Sequence, residues 1–163
     1  MIGYRNLPDQ TAEAFTDDGW LRTGDIGTID EDGYLTLVDR KKELIINAAG
    51  KNMSPANIEM KLKSAGPLIG QACVVGDRRP YNVALVVLDP ESGLDPTEPD
   101  VLARVQEEVE AANAALSRVE QIKRFALLEE EWLPGGDELT PTMKLKRKPI
   151  LVKYAEEIDA LYG

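Results

Sequence analysis

Lys144 stands in the stretch Leu139-Thr140-Pro141-Thr142-Met143-Lys144-Leu145-Lys146-Arg147-Lys148-Pro149. Residues 141–153 carry Lys144, Lys146, Arg147, Lys148 and Lys153 and no acidic side chain, in a chain whose formal net charge is −10. A basic island in an acidic background needs an anion or an acidic face as its partner. Either its ammonium groups serve a bound anion, or the island docks on the chain's own carboxylates as the last helix begins; the residues leave both readings open. Asp25 is a second candidate. It follows Gly24, which suits a tight turn holding a carboxylate where a ligand can approach, and an ionised carboxylate accepts from two hydroxyls at once. The same residue could instead cap its own backbone in an Asx-turn. Asp39-Arg40-Lys41-Lys42-Glu43 is an unbroken run of charge between the apolar runs Tyr34–Val38 and Leu44–Ile46. It reads either as a solvated turn or as a joint, since a joint that absorbs a φ/ψ change should be exposed, polar and flanked by rigid strands. Beyond it, Asn47-Ala48-Ala49-Gly50-Lys51-Asn52-Met53 is a loop of small residues. A Gly with Ala neighbours lets a ligand come close to backbone, and a plain β-turn explains the composition equally well.

Composition narrows the chemistry these groups can do. The 163-residue chain contains no histidine, which removes imidazole proton shuttles, His-based triads and His-liganded zinc. What remains is Lys, Arg, carboxylates, hydroxyls and backbone, an inventory suited to electrostatic stabilisation of phosphate and oxyanion charge. The negative net charge argues against nonspecific nucleic-acid binding and against polybasic attraction to anionic lipid. No apolar stretch approaches the length of a membrane span, and the N-terminus does not read as a signal peptide. Cys73 is the only cysteine; within Ala72–Val75 it reads as a buried structural thiol. A cytoplasmic location fits.

The elements that must position these groups follow from apolar patterning. Residues 1–38 read as β structure with turns, including Asn6-Leu7-Pro8-Asp9 and Asp17-Asp18-Gly19. Ile26–Ile29 and Tyr34–Val38 flank Asp30-Glu31-Asp32-Gly33 as a hairpin, with too few apolar residues for a core of its own. Ser54 as N-cap and Pro55 at the first helical position start a helix with Ile58, Leu62 and Ala65 on its inner face, ended by Gly66-Pro67. Leu68–Val75 and Val83–Leu88 read as strands, the second apolar throughout and so buried on both faces. They are joined by a turn in which Arg78 and Arg79 read as solvated. Asp89–Asp100 is acidic and proline-rich and reads as a mobile connection. Val101–Val119 is amphipathic, with Val101, Leu102, Val105, Val109, Ala112 and Leu116 inward. Ile122–Leu128 is a further strand, Glu129–Asp137 an acidic edge and turn, and the last helix has Ile150, Leu151, Tyr154, Ile158 and Leu161 inward.

Gly19-Trp20-Leu21-Arg22-Thr23-Gly24-Asp25, then Gly33-Tyr34-Leu35 leading into Asp39-Arg40-Lys41-Lys42-Glu43-Leu44-Ile45, together with Lys144, resembles the adenylate-forming superfamily, which includes acyl-CoA synthetases, luciferases and peptide-synthetase adenylation domains. The resemblance implies an α+β fold, a small mixed sheet flanked by helices, preceded by a β-hairpin segment. Residues 1–39 would be the incomplete, β-rich end of a large N-terminal adenylation domain, and residues 40–163 a mobile C-terminal lid. It also implies roles. Asp25 and Arg40 would contact the ribose of ATP, Lys42 would be the hinge, and Ala49, Gly50 and Lys51 would line the coenzyme A tunnel. Lys144 would be the catalytic lysine, and none of these residues a metal ligand.

Many relatives have Gly before that lysine, where this chain has Met143. The form Leu-Thr-Pro-Thr-x-Lys-x-Lys-Arg resembles the long-chain fatty acyl-CoA synthetase branch. The implied substrates are a fatty acid, ATP with Mg2+ held mainly by the N-terminal domain, and coenzyme A; the implied partner is that N-terminal domain, and peripheral membrane association stays open. The Ser/Thr/Gly-rich phosphate loop of the superfamily does not occur in this sequence. The expectation is therefore a C-terminal fragment that does not by itself make acyl-adenylate. Two other readings stay open: an acyl-AMP ligase delivering to a carrier protein, and a non-enzymatic protein-binding module using the Lys144–Lys153 island.

Overall fold

The computed structural model describes residues 1–163, and the chain divides into two units, Met1–Glu43 and Leu44–Gly163. In the first, the residues around Pro8 form a short helix rather than a turn, α1 (Pro8–Glu13). Proline is at home in a first helical turn, where its missing N–H is not needed. Asp9 adds negative charge there, and Thr11 Oγ1 donates back to the Leu7 carbonyl at 2.8 Å. The anticipated hairpin follows as β1 (Asp25–Ile29) and β2 (Leu35–Arg40), antiparallel. Its turn is held by Asp30, whose carboxylate accepts from the N–H groups of Asp32 (3.1 Å) and Tyr34 (2.8 Å). Asp39 and Arg40 complete β2 opposite Ile26 and Asp25. No residue of this unit is buried, and Trp20, Ile29, Tyr34, Leu35 and Leu37 all stand exposed.

The second unit opens with β3 (Ile45–Ile46) paired antiparallel to β4 (Asn52–Met53). α2 (Pro55–Ser64) starts as its sequence requires, with the Ser54 hydroxyl accepting from the Asn57 N–H at 3.1 Å. Then come β5 (Ile69–Val75), β6 (Asn82–Leu88), α3 (Pro99–Ala114) and β7 (Ile122–Leu127), with α4 (Arg147–Lys153) and α5 (Ala155–Ala160) closing the chain. The main sheet has order β5-β6-β7; β5 pairs antiparallel and β7 parallel to the central β6, so α3 is the crossover a parallel pair requires.

Every residue of β6 is buried because the sheet is covered on both faces. Ala72, Val74, Ala84 and Val86 pack with Ile58, Leu62, Val105 and Val109 of α2 and α3. Cys73, Leu85 and Val87, on the alternate positions, pack with Trp132, Leu139, Ile150, Tyr154 and Ile158. No helix is long and apolar enough to cross a membrane.

Four further local expectations change. Leu102 and Leu151 are exposed rather than inward, because the buried stripes run Val101-Val105-Val109-Ala112 and Ile150-Tyr154-Ile158, one position to the side of each. The last helix is two helices, broken at Tyr154 (φ −105°, ψ 31°). Asp89–Asp100 contains a 3-10 turn, Pro90–Ser92, capped by the Asp89 carboxylate accepting from the Glu91 N–H at 2.9 Å. The run Leu44–Ile46 is a strand only over Ile45–Ile46.

One buried carboxylate ties α3 to the sheet. Glu108 accepts from the N–H groups of Leu68 (3.1 Å) and Ile69 (3.2 Å) where β5 begins. A Cβ on Gly66 would lie 2.1 Å from its Oε1. Glu108→Ala leaves two buried donors without an acceptor and is expected to cost about 2–3 kcal/mol, read as a lowered midpoint in urea unfolding.

Candidate functional site

The lysine stretch is a tight hairpin. Leu139, fully buried, anchors one arm, and Leu145 bridges it antiparallel on the other. Between them the Thr140 N–H donates to the Lys144 carbonyl (2.8 Å), the Met143 N–H to the Thr140 carbonyl (3.0 Å), and the Lys144 N–H to Thr140 Oγ1 (3.0 Å). The tip turns through Met143 at φ 62°, a left-handed setting that glycine adopts freely and a side chain adopts at a cost. A glycine here would meet this geometry without strain, whereas Met143 bears it. Met143→Gly, which removes the left-handed cost that Met143 bears, is expected to be neutral to stabilising by up to about 1 kcal/mol, whereas Met143→Val, β-branched at positive φ, should lower the midpoint of thermal unfolding.

Docking on the chain's own acceptors accounts for Arg147, Lys146 and Lys153 of the basic island. Arg147 Nη2 sits 2.6 Å from Glu59 Oε2 in a largely buried pair. Lys153 bonds Glu130 and also Glu138 (2.7 Å), and Lys146 Nζ donates to the Gly136 carbonyl at 2.7 Å. Lys144 is exposed, with its ammonium engaged by no acid or carbonyl of the chain. Lys146, two residues away, cannot replace it without giving up its own bond. The hairpin base is further closed by the Lys146 N–H donating to the Glu138 carbonyl (2.7 Å), while Tyr154 bonds Glu130 and accepts from Trp132 Nε1 at 3.1 Å. The hydrogen bonds of Lys153 hold the Glu130 carboxyl below its ordinary range, and those of Glu130 and Glu138 push the Lys153 ammonium above its own.

In the first unit the structure brings Asp25 and Arg40 together. They are register partners across β1 and β2, with Arg40 Nε 3.2 Å from Asp25 Oδ1. The carboxylate thus faces a guanidinium and does not cap its own turn. Gly24 (φ 78°) makes the bend, and its carbonyl accepts from the Lys41 N–H at 2.8 Å. Lys42 lies exposed in the turn closed by the Glu43 N–H on the Arg40 carbonyl (3.0 Å), at the end of this unit.

The loop holding Ala49, Gly50 and Lys51 is built around one side chain. Asn47 Oδ1 accepts from the N–H groups of Ala49 (3.0 Å) and Lys51 (2.9 Å), and the Gly50 N–H donates to the Asn47 carbonyl (2.9 Å). Gly50 takes φ 75° with open space beside it, so backbone is presented without a side chain in the way. The turn after β5 supports this loop: the Arg78 N–H donates to Ile46, the Ala48 N–H to Arg79, and Asp77 accepts from the Ile46 N–H. Arg79 itself pairs with Asp159 at 2.7 Å and lies over the Tyr162 ring, while Arg78 is exposed. Cys73 is fully buried, and burial pushes its thiol up to about 12, so it stays protonated and inert.

Glu59 is the group that patterning overlooks. It lies beside Ile58 on the buried side of α2, and its signal was an acid next to an apolar stripe, a weak one.

Residues 42–163 match the family model described as AMP-binding enzyme C-terminal domain. Along its full length the chain is 56% identical to FadD11 of Mycobacterium tuberculosis, provisionally named a fatty-acid–CoA ligase, covering 31% of that protein. It is 44% identical to the long-chain-fatty-acid–CoA ligase FadD15 of the same organism, with 99% of the chain aligned to 29% of that protein. Among solved structures it superposes on the A domain of a carboxylic acid reductase from Segniliparus rugosus, in complex with AMP and a co-purified carboxylic acid. That match has a TM-score of 0.86 and 26% identity, over 98% of this chain and 26% of the other. The chain thus spans about a third of the length of the curated relatives it matches. A mixed sheet covered by helices on both faces, a turned-out lysine hairpin and a match over residues 42–163 lead to one assignment: the chain belongs to the AMP-binding enzyme C-terminal domain family.

Proposed function

We propose that this chain is the C-terminal part of an AMP-forming long-chain fatty-acid–CoA ligase, in which Lys144 serves the first of two half-reactions. The observation that carries the reading is the state of the Lys144 ammonium: it is presented to solvent on a stiff hairpin while Lys146, Arg147 and Lys153 are committed to the chain's own acceptors. The 56% and 44% identity to proteins named as CoA ligases supports the substrate class. A fatty carboxylate oxygen attacks the α-phosphorus of ATP, a P–O bond forms, and the bond to the departing pyrophosphate breaks. Two anions must meet for this to happen. An ammonium between carboxylate and α-phosphate offsets their repulsion and binds the transition state better than the ground state.

Asp25, held against Arg40, would accept hydrogen bonds from the ribose hydroxyls, with Arg40 as the second ribose contact. The charged turn at Lys42 would then act as hinge, withdrawing Lys144 and bringing in the Ala49-Gly50-Lys51 loop. The sulfur of coenzyme A attacks the acyl carbonyl and AMP leaves. A magnesium ion accompanying ATP would be held mainly by other parts of the intact protein, with its remaining ligands from the phosphates and water. The exposed apolar side chains of β1 and β2 and the absence of any buried residue in residues 1–43 fit an edge of a larger domain.

The test is product analysis on the intact protein with a long-chain fatty acid and ATP, offering coenzyme A or an acyl-carrier protein as acceptor. Acyl-CoA with stoichiometric AMP and pyrophosphate is the expected result. Transfer to the carrier protein alone would replace the CoA reading, and no ATP-dependent product with either acceptor would overturn the enzyme reading.

A further inference from the structure

We infer that Glu59 and Arg147 form a positioning pair for Lys144, a proposal resting on the adenylation role given to that lysine. Glu59 divides its carboxylate between two elements: Oε1 accepts from the Val74 N–H of β5 at 2.8 Å, and Oε2 takes Arg147 Nη2 at 2.6 Å. Arg147 also donates from Nη1 to Cys73 Sγ at 3.8 Å. Both partners are largely buried, with side-chain exposures of 8% for Glu59 and 17% for Arg147. Arg147 is the first residue of α4 and follows Lys144 by one helical turn's worth of chain, so α2 and β5 are tied directly to the base of the lysine hairpin.

A pair in this place has a structural use and a functional one. As a structural device it is an inefficient choice, since buried ion pairs return little net stability once desolvation is counted. As a positioning device it is well suited: a guanidinium fixed by a carboxylate, a thiol and packing has one orientation, and the backbone it starts cannot drift. The hairpin's internal hydrogen bonds set its shape but not where it points. Its direction is set where it joins the rest of the unit, at buried Leu139 and the Glu138–Lys153 pair on one arm and at Arg147–Glu59 on the other. Lys144 is thereby aimed by a carboxylate more than eighty residues earlier in the chain.

The test uses the intact protein and five variants: Glu59→Gln, Arg147→Lys, Lys144→Ala and the double variants Glu59→Gln/Lys144→Ala and Arg147→Lys/Lys144→Ala. Glu59→Gln keeps the shape and the Val74 bond while removing the charge. Pyrophosphate exchange reads adenylation, and CoA consumption from preformed acyl-AMP reads thiolation. Glu59→Gln is expected to lower the adenylation rate roughly 10–100-fold, the scale of a small misplacement of a catalytic group, with the KM for ATP and the thiolation rate unchanged. It should cost nothing further in the Lys144→Ala background, since a positioning residue has no effect once the group it positions is gone. An equal loss with and without Lys144, or an equal loss in both half-reactions, overturns the proposal. If Glu59→Gln does not fold, Arg147→Lys, which keeps the charge and loses the fork, carries the same comparison alone and combined with Lys144→Ala. Wild-type adenylation by Lys144→Ala would instead remove the role of the lysine itself, whereas a crippled Lys144→Ala beside an unaffected Glu59→Gln would remove only the positioning role.

Discussion

Lys144→Ala in the intact protein is expected to cut acyl-adenylate formation by about 10²–10³, equivalent to about 3–4 kcal/mol of transition-state stabilisation, while thiolation of preformed acyl-AMP proceeds. The magnitude reflects what the ammonium must do, which is to offset the repulsion between two anions as they meet, and nothing nearby can stand in for it. Lys146 is held on the Gly136 carbonyl and Arg147 on Glu59. Lys148 is exposed but lies within α4, beyond the hairpin. The sparing of the second half-reaction distinguishes chemistry from folding, because a variant that failed to fold would lose both. Pyrophosphate exchange and single-turnover acyl transfer measure the two halves separately; equal losses in both would remove the lysine's assigned role.

The second large effect is expected at the joint. Lys42→Pro fixes φ at residue 42 and pushes Lys41 away from the helical region, so the backbone loses one of the settings a hinge must visit. Adenylation should persist while thiolation falls by about 10²-fold, the cost of holding reacting groups out of register. Lys42→Ala is the control: it removes the side chain and leaves the dihedrals free, and it should behave as wild type in both halves. If the proline variant keeps full thiolation, the hinge lies elsewhere.

Local rules read most elements correctly, and the exceptions have physical causes. Ser54-Pro55 started a helix as capping requires, and the apolar run in β6 was buried on both faces as its composition demanded. Leu102 and Leu151 failed because a helical stripe has a width, and only the neighbouring sheet decides which of its edge residues is covered. The short helix at Pro8 escapes local rules because a turn and a first helical turn use the same residues. At the site, residue types left two readings open at Lys144, Asp25, the Asp39–Glu43 run and the Gly50 loop, and only the family resemblance gave Arg40, Lys42 and that loop roles. Residue pattern has a limit here: it could not reveal that Asp25 meets Arg40 across two strands, nor that Asn47 organises the loop backbone.

What the sequence determined alone was the inventory. A chain without histidine, with one basic island in an acidic background, has an inventory that suits charge stabilisation and excludes imidazole chemistry, and the order of its turns and apolar runs decides which elements form. The tertiary structure decided the division of labour within that island. Whether a lysine is a ligand or a bolt depends on which acceptors lie within about 3 Å of it, and those come from α2, from Gly136 and from Glu138. Long-range pairing of this kind leaves no periodicity along the chain, because partners far apart in sequence meet only once the sheet is covered on both faces.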